Sequence, residues 1–417
     1  MSKNRKRVLL ILSFPILLFV IYWKLSPLTI PLQEPISPAT PDITSITPTE
    51  ISSEISPNES INIKLTFLGD IMCHPTQYEA AKTPDGYDFS PSFEDIKEYT
   101  SKADLTLANL ETALAGKEKI YSGYPSFNTP EQLAYAIKDT LGVDVVSTAN
   151  NHSLDRHYSG LCNTIDFLDN SGLKHTGTFK TEEESKEILI TDVKGLKIAF
   201  LSYTYGTNGV KLPQDKPFAV NYINRDKILL DAQKARELGS HLIVASLHWG
   251  EEYSHTPSEQ QVSLANWIFE NTEVDIISGN HVHAVQPIEF INVSKDNISH
   301  DREGLVVYAQ GNFFSNQQTK SANRGIITDI DLKFNPIDND VSIENVYYTP
   351  IWIDETVGSG PQTYRVLNVD SALRNFLQSQ DELLDENDYN KMLEFVSLVE
   401  RVISPGEKIN STSDLAN

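Results

Sequence analysis

Asp275-Ile276-Ile277-Ser278-Gly279-Asn280-His281-Val282-His283 is a short apolar run that stops at a glycine and delivers two histidines two residues apart. On an extended backbone, residues two apart project to the same side. The pair therefore offers two imidazoles in one direction, as a metal site requires. His-x-His alone is a weak signal. Here, four other apolar runs end in the same manner. Residues 63–72 stop at Gly69-Asp70, residues 103–110 at Asn109-Leu110-Glu111, residues 143–148 lead to Asn150-Asn151-His152, and residues 241–247 to His248-Trp249-Gly250-Glu251. Packing does not explain why each run hands over a carboxylate, carboxamide or imidazole where it ends.

Between these runs lie helical stretches. Residues 129–141 open with Thr129-Pro130, and proline suits a first helical turn; Gly142 stops them. Residues 158–170 stop at Gly172, residues 225–238 at Gly239, and residues 257–271 are entered through Thr256 as an N-cap. Residues 187–205 read as a hairpin around Val193-Lys194-Gly195, and residues 325–334 and 341–354 as antiparallel strands. Strand and helix in alternation predict an α/β fold with parallel pairing. The acidic, amphipathic stretch 370–403 is expected to be helical and to pack outside the core.

Composition bounds the partners. The 34 basic against 57 acidic residues of this 417-residue chain leave a net charge of −23, which excludes a broad electrostatic grip on nucleic acid or anionic lipid. An anionic ligand would need a metal or a local basic patch. Cys73 and Cys162 form neither a zinc pattern nor a disulfide framework.

At the N-terminus, Lys3, Arg5, Lys6 and Arg7 precede an apolar run over 8–23, the arrangement of a signal peptide or a signal anchor. At about 1.5 Å per residue, this run reaches roughly 24 Å, short of a hydrocarbon core of about 30 Å unless Lys24 snorkels. No small-x-small cleavage site follows closely. A retained single-pass anchor is expected, with the main domain outside the cell membrane. Residues 25–60, rich in Pro, Ser and Thr and free of glycine, read as an extended spacer. The expected organisation is a membrane segment over 1–24, a linker over 25–60, a catalytic-type domain over 61–355 and an acidic helical tail over 356–417.

In α/β sheets, ligands gather beyond the carboxyl ends of strands. Asp70, Glu111, Asn151, His248, His281 and His283 can therefore meet although they are far apart in sequence. Carboxylate, carboxamide and imidazole together suit manganese, iron or zinc, whereas calcium takes oxygen alone. Two metals need one bridging carboxylate and ligands on both sides.

These residues also carry a resemblance. Gly69-Asp70-Ile71-Met72, Asn109-Leu110-Glu111, Ala149-Asn150-Asn151-His152-Ser153-Leu154-Asp155, His248-Trp249-Gly250, Gly279-Asn280-His281-Val282-His283 and Gly311-Asn312-Phe313 together resemble the CapA family of capsule or poly-γ-glutamate synthesis proteins, over about residues 63–320. The family's domain is similar to the calcineurin-like metallophosphoesterases. The resemblance implies a layered sandwich of mixed β-sheets flanked by helices. It also implies a divalent centre of one or two ions, with Asp70 and His283 on one metal, Asn151, His248 and His281 on the other, and Glu111 between them. His152 would be the general acid of a hydrolysis at a phosphoryl or acyl centre, on an anionic envelope polymer and beside membrane subunits of a synthesis complex. A non-catalytic scaffold or polymer-binding subunit is the alternative.

One position departs from the pattern. Metallophosphoesterases begin with Asp-x-His, and here the third residue is Met72, a poor ligand for a hard metal. His74 could take the place if the loop curls back. Asp155 reads equally as a helix cap or as the partner that orients His152. Trp249 reads as core or pocket wall, and Gly311-Asn312 as a tight turn at the pocket rim. His157 and His255 are nearby candidates; His175, His241 and His300 read as structural or exposed.

Overall fold

Strand Ile61–Ile71 alternates at its start and is buried throughout from Leu65 onward, the pattern of a strand covered on both faces. It is the hinge of a mixed sheet. Leu105–Leu110 pairs parallel on one side of it and Arg324–Asn335 antiparallel on the other. The parallel side continues through Val145–Ser147 to Lys174–Thr176, and the antiparallel side through Asp340–Thr356 to Thr363–Asn368. The computed structural model describes residues 60–293, 302–317, 319, 322–356, 362–404 and 406–415. The apolar run at 8–23, the spacer through residue 59 and His300 lie outside them. Among the described residues, no helix is long and apolar enough to cross a membrane.

With Asn312–Phe314 and Ile409–Ser411 attached, the first sheet has nine strands; a second has six. In the second, Leu242–His248 lies parallel between Leu196–Thr204 and Ile276–Asn280, and Ile276–Asn280 pairs parallel with Arg302–Val307. The expected hairpin is present as Leu189–Val193 and Leu196–Thr204.

The two sheets pack face to face through Leu65, Phe67, Leu107, Phe200, Val244, Ile276 and Val307, each 3% exposed or less. Each large apolar side chain of this kind contributes about 1.5–3 kcal/mol on burial. Helices Arg225–Glu237 and Glu259–Asn271 cover the outer face of the six-stranded sheet with Ile228, Ala232, Ile268 and Phe269. Gln132–Asp139 covers the other sheet with Leu133 and Ile137. The fold is thus mixed α/β, with helices on the outside of two sheets.

Several local expectations are corrected. Helix Glu259–Asn271 is capped by Ser258, not Thr256; Gln261 reaches back to complete a capping box. The C-terminal stretch forms two helices, Val369–Leu377 and Glu386–Val402. Val369, Met392, Phe395 and Val399 enter the same core as the two sheets instead of resting outside it. Strand Thr363–Asn368 ahead of them joins the nine-stranded sheet.

Candidate metal centre

Two glycines let the strand ends crowd together. A Cβ on Gly69 would lie 2.1 Å from the carbonyl oxygen of Gly311, and one on Gly279 would lie 1.9 Å from that of Tyr308. Register then sets the next residues side by side, with Asp70 opposite Asn109 and Asn312, and Asn280 opposite His248. The His-x-His pair does not follow an extended path. The strand ends at Asn280, and His281 and His283 both have positive φ, 98° and 56°. The turn, not strand alternation, brings both rings to the site.

Asp70, Glu111 and Asn151 from the nine-stranded side meet His248, His281 and His283 from the six-stranded side. One ligand atom each of Asp70, Glu111 and His283 lie within 4.8 Å of one another, as do those of Glu111, His248 and His281. Glu111 belongs to both groups. Its Oε1 is 3.4 Å from His248 Nε2 and 3.8 Å from His283 Nε2. Asn151 Oδ1 lies 2.9 Å from His248 Nε2, and Asp70 Oδ2 lies 3.2 Å from His283 Nδ1. All six side chains are 3% exposed or less.

The residues fit a cation. Both carboxylate oxygens of Glu111 and Nδ1 of His281 are buried without a hydrogen-bond partner. Unsatisfied buried carboxylate oxygens are costly, and a divalent ion removes that cost. Burial first, then the charge of Asp70, pushes the Glu111 carboxyl well above its ordinary range. Burial also holds His248 and His281 well below theirs, with repulsion from neighbouring imidazoles adding to the effect. Neutral imidazole is the form that ligates metal.

Around this centre lies a cleft of about 630 Å3 whose walls include Met72, His74, His152, Asn208, Glu252 and Tyr253. His152 Nδ1 is 2.7 Å from Asp155 Oδ2, which also accepts from the Phe127 backbone N–H at 2.6 Å. The following helix, His157–Ser171, takes Arg156 as its N-cap residue, so the Asp155 side chain serves the imidazole. Met72 is buried, its thioether 4.0 Å from Ser315 Oγ. His74 precedes a short helix and packs edge-on to Phe127; it belongs to neither ligand group, although its Nε2 is buried and unbonded.

Other candidates fall elsewhere. His255 Nδ1 bonds the Val285 carbonyl, His157 is exposed, His175 meets Asp169, and His241 stacks on Phe334. Trp249 is core, donating to the Tyr308 carbonyl.

Four contributors were not assigned from sequence. Asn109 Nδ2 donates to Asp70 Oδ1 at 2.7 Å. Asn312, expected at the rim, is fully buried, with Oδ1 3.0 Å from His283 Nδ1. Tyr205 lies against His281, ring centroids 4.5 Å apart. Glu252 forms a third group within 4.8 Å with His281 and His283. Asn109 and Asn312 were legible as polar residues at buried strand ends; Tyr205 and Glu252 carried no comparable signal.

Known proteins resemble the chain at this level. A family model described as bacterial capsule synthesis protein PGA_cap matches residues 64–317. The chain is 26% identical over 277 residues to a capsule biosynthesis protein CapA of Bacillus anthracis, covering 64% of each. It is 25% identical over 268 residues to a PGA biosynthesis protein CapA of Bacillus subtilis, covering 61% of this chain and 64% of that one. The chain thus spans somewhat less than two thirds of these relatives. Among solved structures, a calcineurin-like phosphoesterase from Bacillus subtilis aligns with a TM-score of 0.42 and 14% identity, covering 81% of this chain and 100% of that one, a likeness too loose to bear weight.

Proposed function

The chain belongs to the PGA_cap family of bacterial capsule synthesis proteins, and from that premise we propose that it is a metal-dependent hydrolase of the cell envelope. It is held to the membrane by residues 8–23 with its two-sheet domain outside. It acts on an anionic capsule polymer such as poly-γ-glutamate, beside membrane subunits of the synthesis machinery.

The observation that carries this reading is Glu111, buried with both oxygens unbonded and common to two groups of metal-ligand side chains. Asp70, Glu111 and His283 would hold one cation; Glu111, Asn151, His248 and His281 would hold a second. The mixed ligand set suits manganese, iron or zinc. When bound, such ions supply Lewis acidity toward water and toward a phosphoryl or acyl oxygen. The chain itself contributes position and a proton. With Nδ1 engaged by Asp155, His152 keeps its other ring nitrogen for proton transfer at the leaving group.

Met72 favours a second reading. A buried thioether stands where metallophosphoesterases carry a ligand histidine, and a polymer-binding scaffold would tolerate it. Metal content and turnover of the full-length chain separate the two, assayed on a chromogenic phosphodiester and on a γ-glutamyl peptide. Stoichiometric metal with turnover, both lost in Glu111→Ala, is the expected result. Metal without turnover supports the scaffold, and absence of metal overturns the centre itself.

A further inference from the structure

Glu252 stands apart from the six residues at the strand ends. It lies on the loop after strand Leu242–His248, and its side chain is exposed in the wall of the cleft. Two features fix that loop. Gly250 has φ 98°, and a Cβ there would meet Gln261 Oε1 at 2.6 Å and Val282 Cγ1 at 2.7 Å, so a residue with a side chain could not make this turn unstrained. The Tyr253 backbone N–H then donates to the Val282 carbonyl at 2.6 Å, pinning the loop to the residue between His281 and His283. Glu252 is thereby held beside that histidine pair.

We propose that Glu252 is a further metal-binding residue, an outer carboxylate that reaches His281 and His283 from the solvent side while Glu111 serves them from the buried side. The inference rests on the metal centre proposed above. Ligand atoms of Glu252, His281 and His283 lie within 4.8 Å of one another, the same closeness as in the two buried groups. His281 is 3% exposed and its Nδ1 has no partner, so the group includes an imidazole with unused capacity. An exposed carboxylate on a pinned backbone keeps its side-chain rotamers, so it can release the cation to an incoming anionic group without disturbing the buried ligands.

The test is manganese binding to the full-length chain, followed by electron paramagnetic resonance of free Mn2+. Wild type is compared with Glu252→Gln and with Glu251→Gln, a neighbouring exposed carboxylate that does not line the cleft. Glu252→Gln is expected to weaken binding about ten-fold or more, with Glu251→Gln matching wild type. Equal affinity in wild type and Glu252→Gln, with both chelator-treated proteins melting alike, overturns this inference and leaves the buried centre standing. A wild-type chain that binds no Mn2+, Zn2+ or Fe2+ overturns the centre on which it rests.

Discussion

Asn109 holds Asp70. The two residues are register partners on adjacent parallel strands, and Asn109 Nδ2 donates to Asp70 Oδ1 at 2.7 Å while its own Oδ1 accepts from Ser147 Oγ at 2.8 Å. A carboxylate oriented in this way loses no rotamer freedom when it takes a cation. Asn109→Ala is therefore expected to weaken manganese binding by roughly 10–100-fold, the usual cost of removing a partner that orients a ligand. Calorimetric titration of the folded variant checks it, and unchanged affinity would refute the orienting role.

Chelation exposes the cost of Glu111. Its carboxyl lies above the ordinary 4.5 in the fold, so the folded metal-free chain keeps a proton that the unfolded chain releases. The sign follows: the group's contribution to stability is full below that value and is lost as pH rises toward the folded one. In chelator at pH 8, Glu111→Gln is expected to melt above wild type, with the gap closing toward pH 5. Manganese at a hundred times its Kd should add about 2.7 kcal/mol to wild type and far less to the variant. Thermal melts at the two pH values decide it.

Proton transfer and metal binding should separate by mutation. His152→Ala is expected to lower kcat by about 10²–10⁴-fold on a substrate the wild type turns over, with manganese affinity nearly unchanged. Asp155→Asn should fall between the two and alter the pH–rate profile, since it acts through the imidazole. Equal loss of metal from His152→Ala would mean that the residue is a ligand instead.

Gly69→Ala tests the crowding of strand ends. The added methyl would meet a backbone carbonyl at 2.1 Å, which cannot swing aside as a side chain could. A destabilisation of about 3 kcal/mol or more is expected in urea unfolding. A variant of wild-type stability would show that the strands part easily.

Arg365 ties the last edge strand to the sheet. It pairs with Asp354 at 2.7 Å and Asp381 at 2.9 Å, and Asp354 is 2% exposed. Burial raises the Asp354 carboxyl and the guanidinium opposes the shift. Arg365→Met strands that carboxylate, and a cost of about 3–5 kcal/mol is expected. Arg365→Met with Asp354→Leu should recover part of it, as measured by a double-mutant cycle.

The sequence was most legible where strands stop. Apolar runs ending in Asp70, Glu111, Asn151, His248 and the His281–His283 pair were visible because a buried strand that finishes on a ligand-type residue breaks its own pattern. Glu252 escaped that logic: it lies four residues past His248 and arrives through the turn at Gly250, which only backbone geometry reveals. Asn109 and Asn312 stood in the quoted motifs, but which polar residue faces which is set by register across three strands. The edge strand Thr363–Asn368 did alternate, with Tyr364 and Val366 inward, yet six residues between loop and helix are too few for periodicity to decide.

The ligand set is divided between two layers that, among the described residues, no disulfide cross-links, since Cys73 and Cys162 are both free. A cation held by Asp70 and Glu111 on one side and by His248, His281 and His283 on the other would act as a rivet through the sandwich. Sliding of one layer over the other would distort the coordination polyhedron, and loading the site would stiffen the whole body along the shear direction. Metal supply would then govern not only chemistry but also how firmly the two layers stay in register.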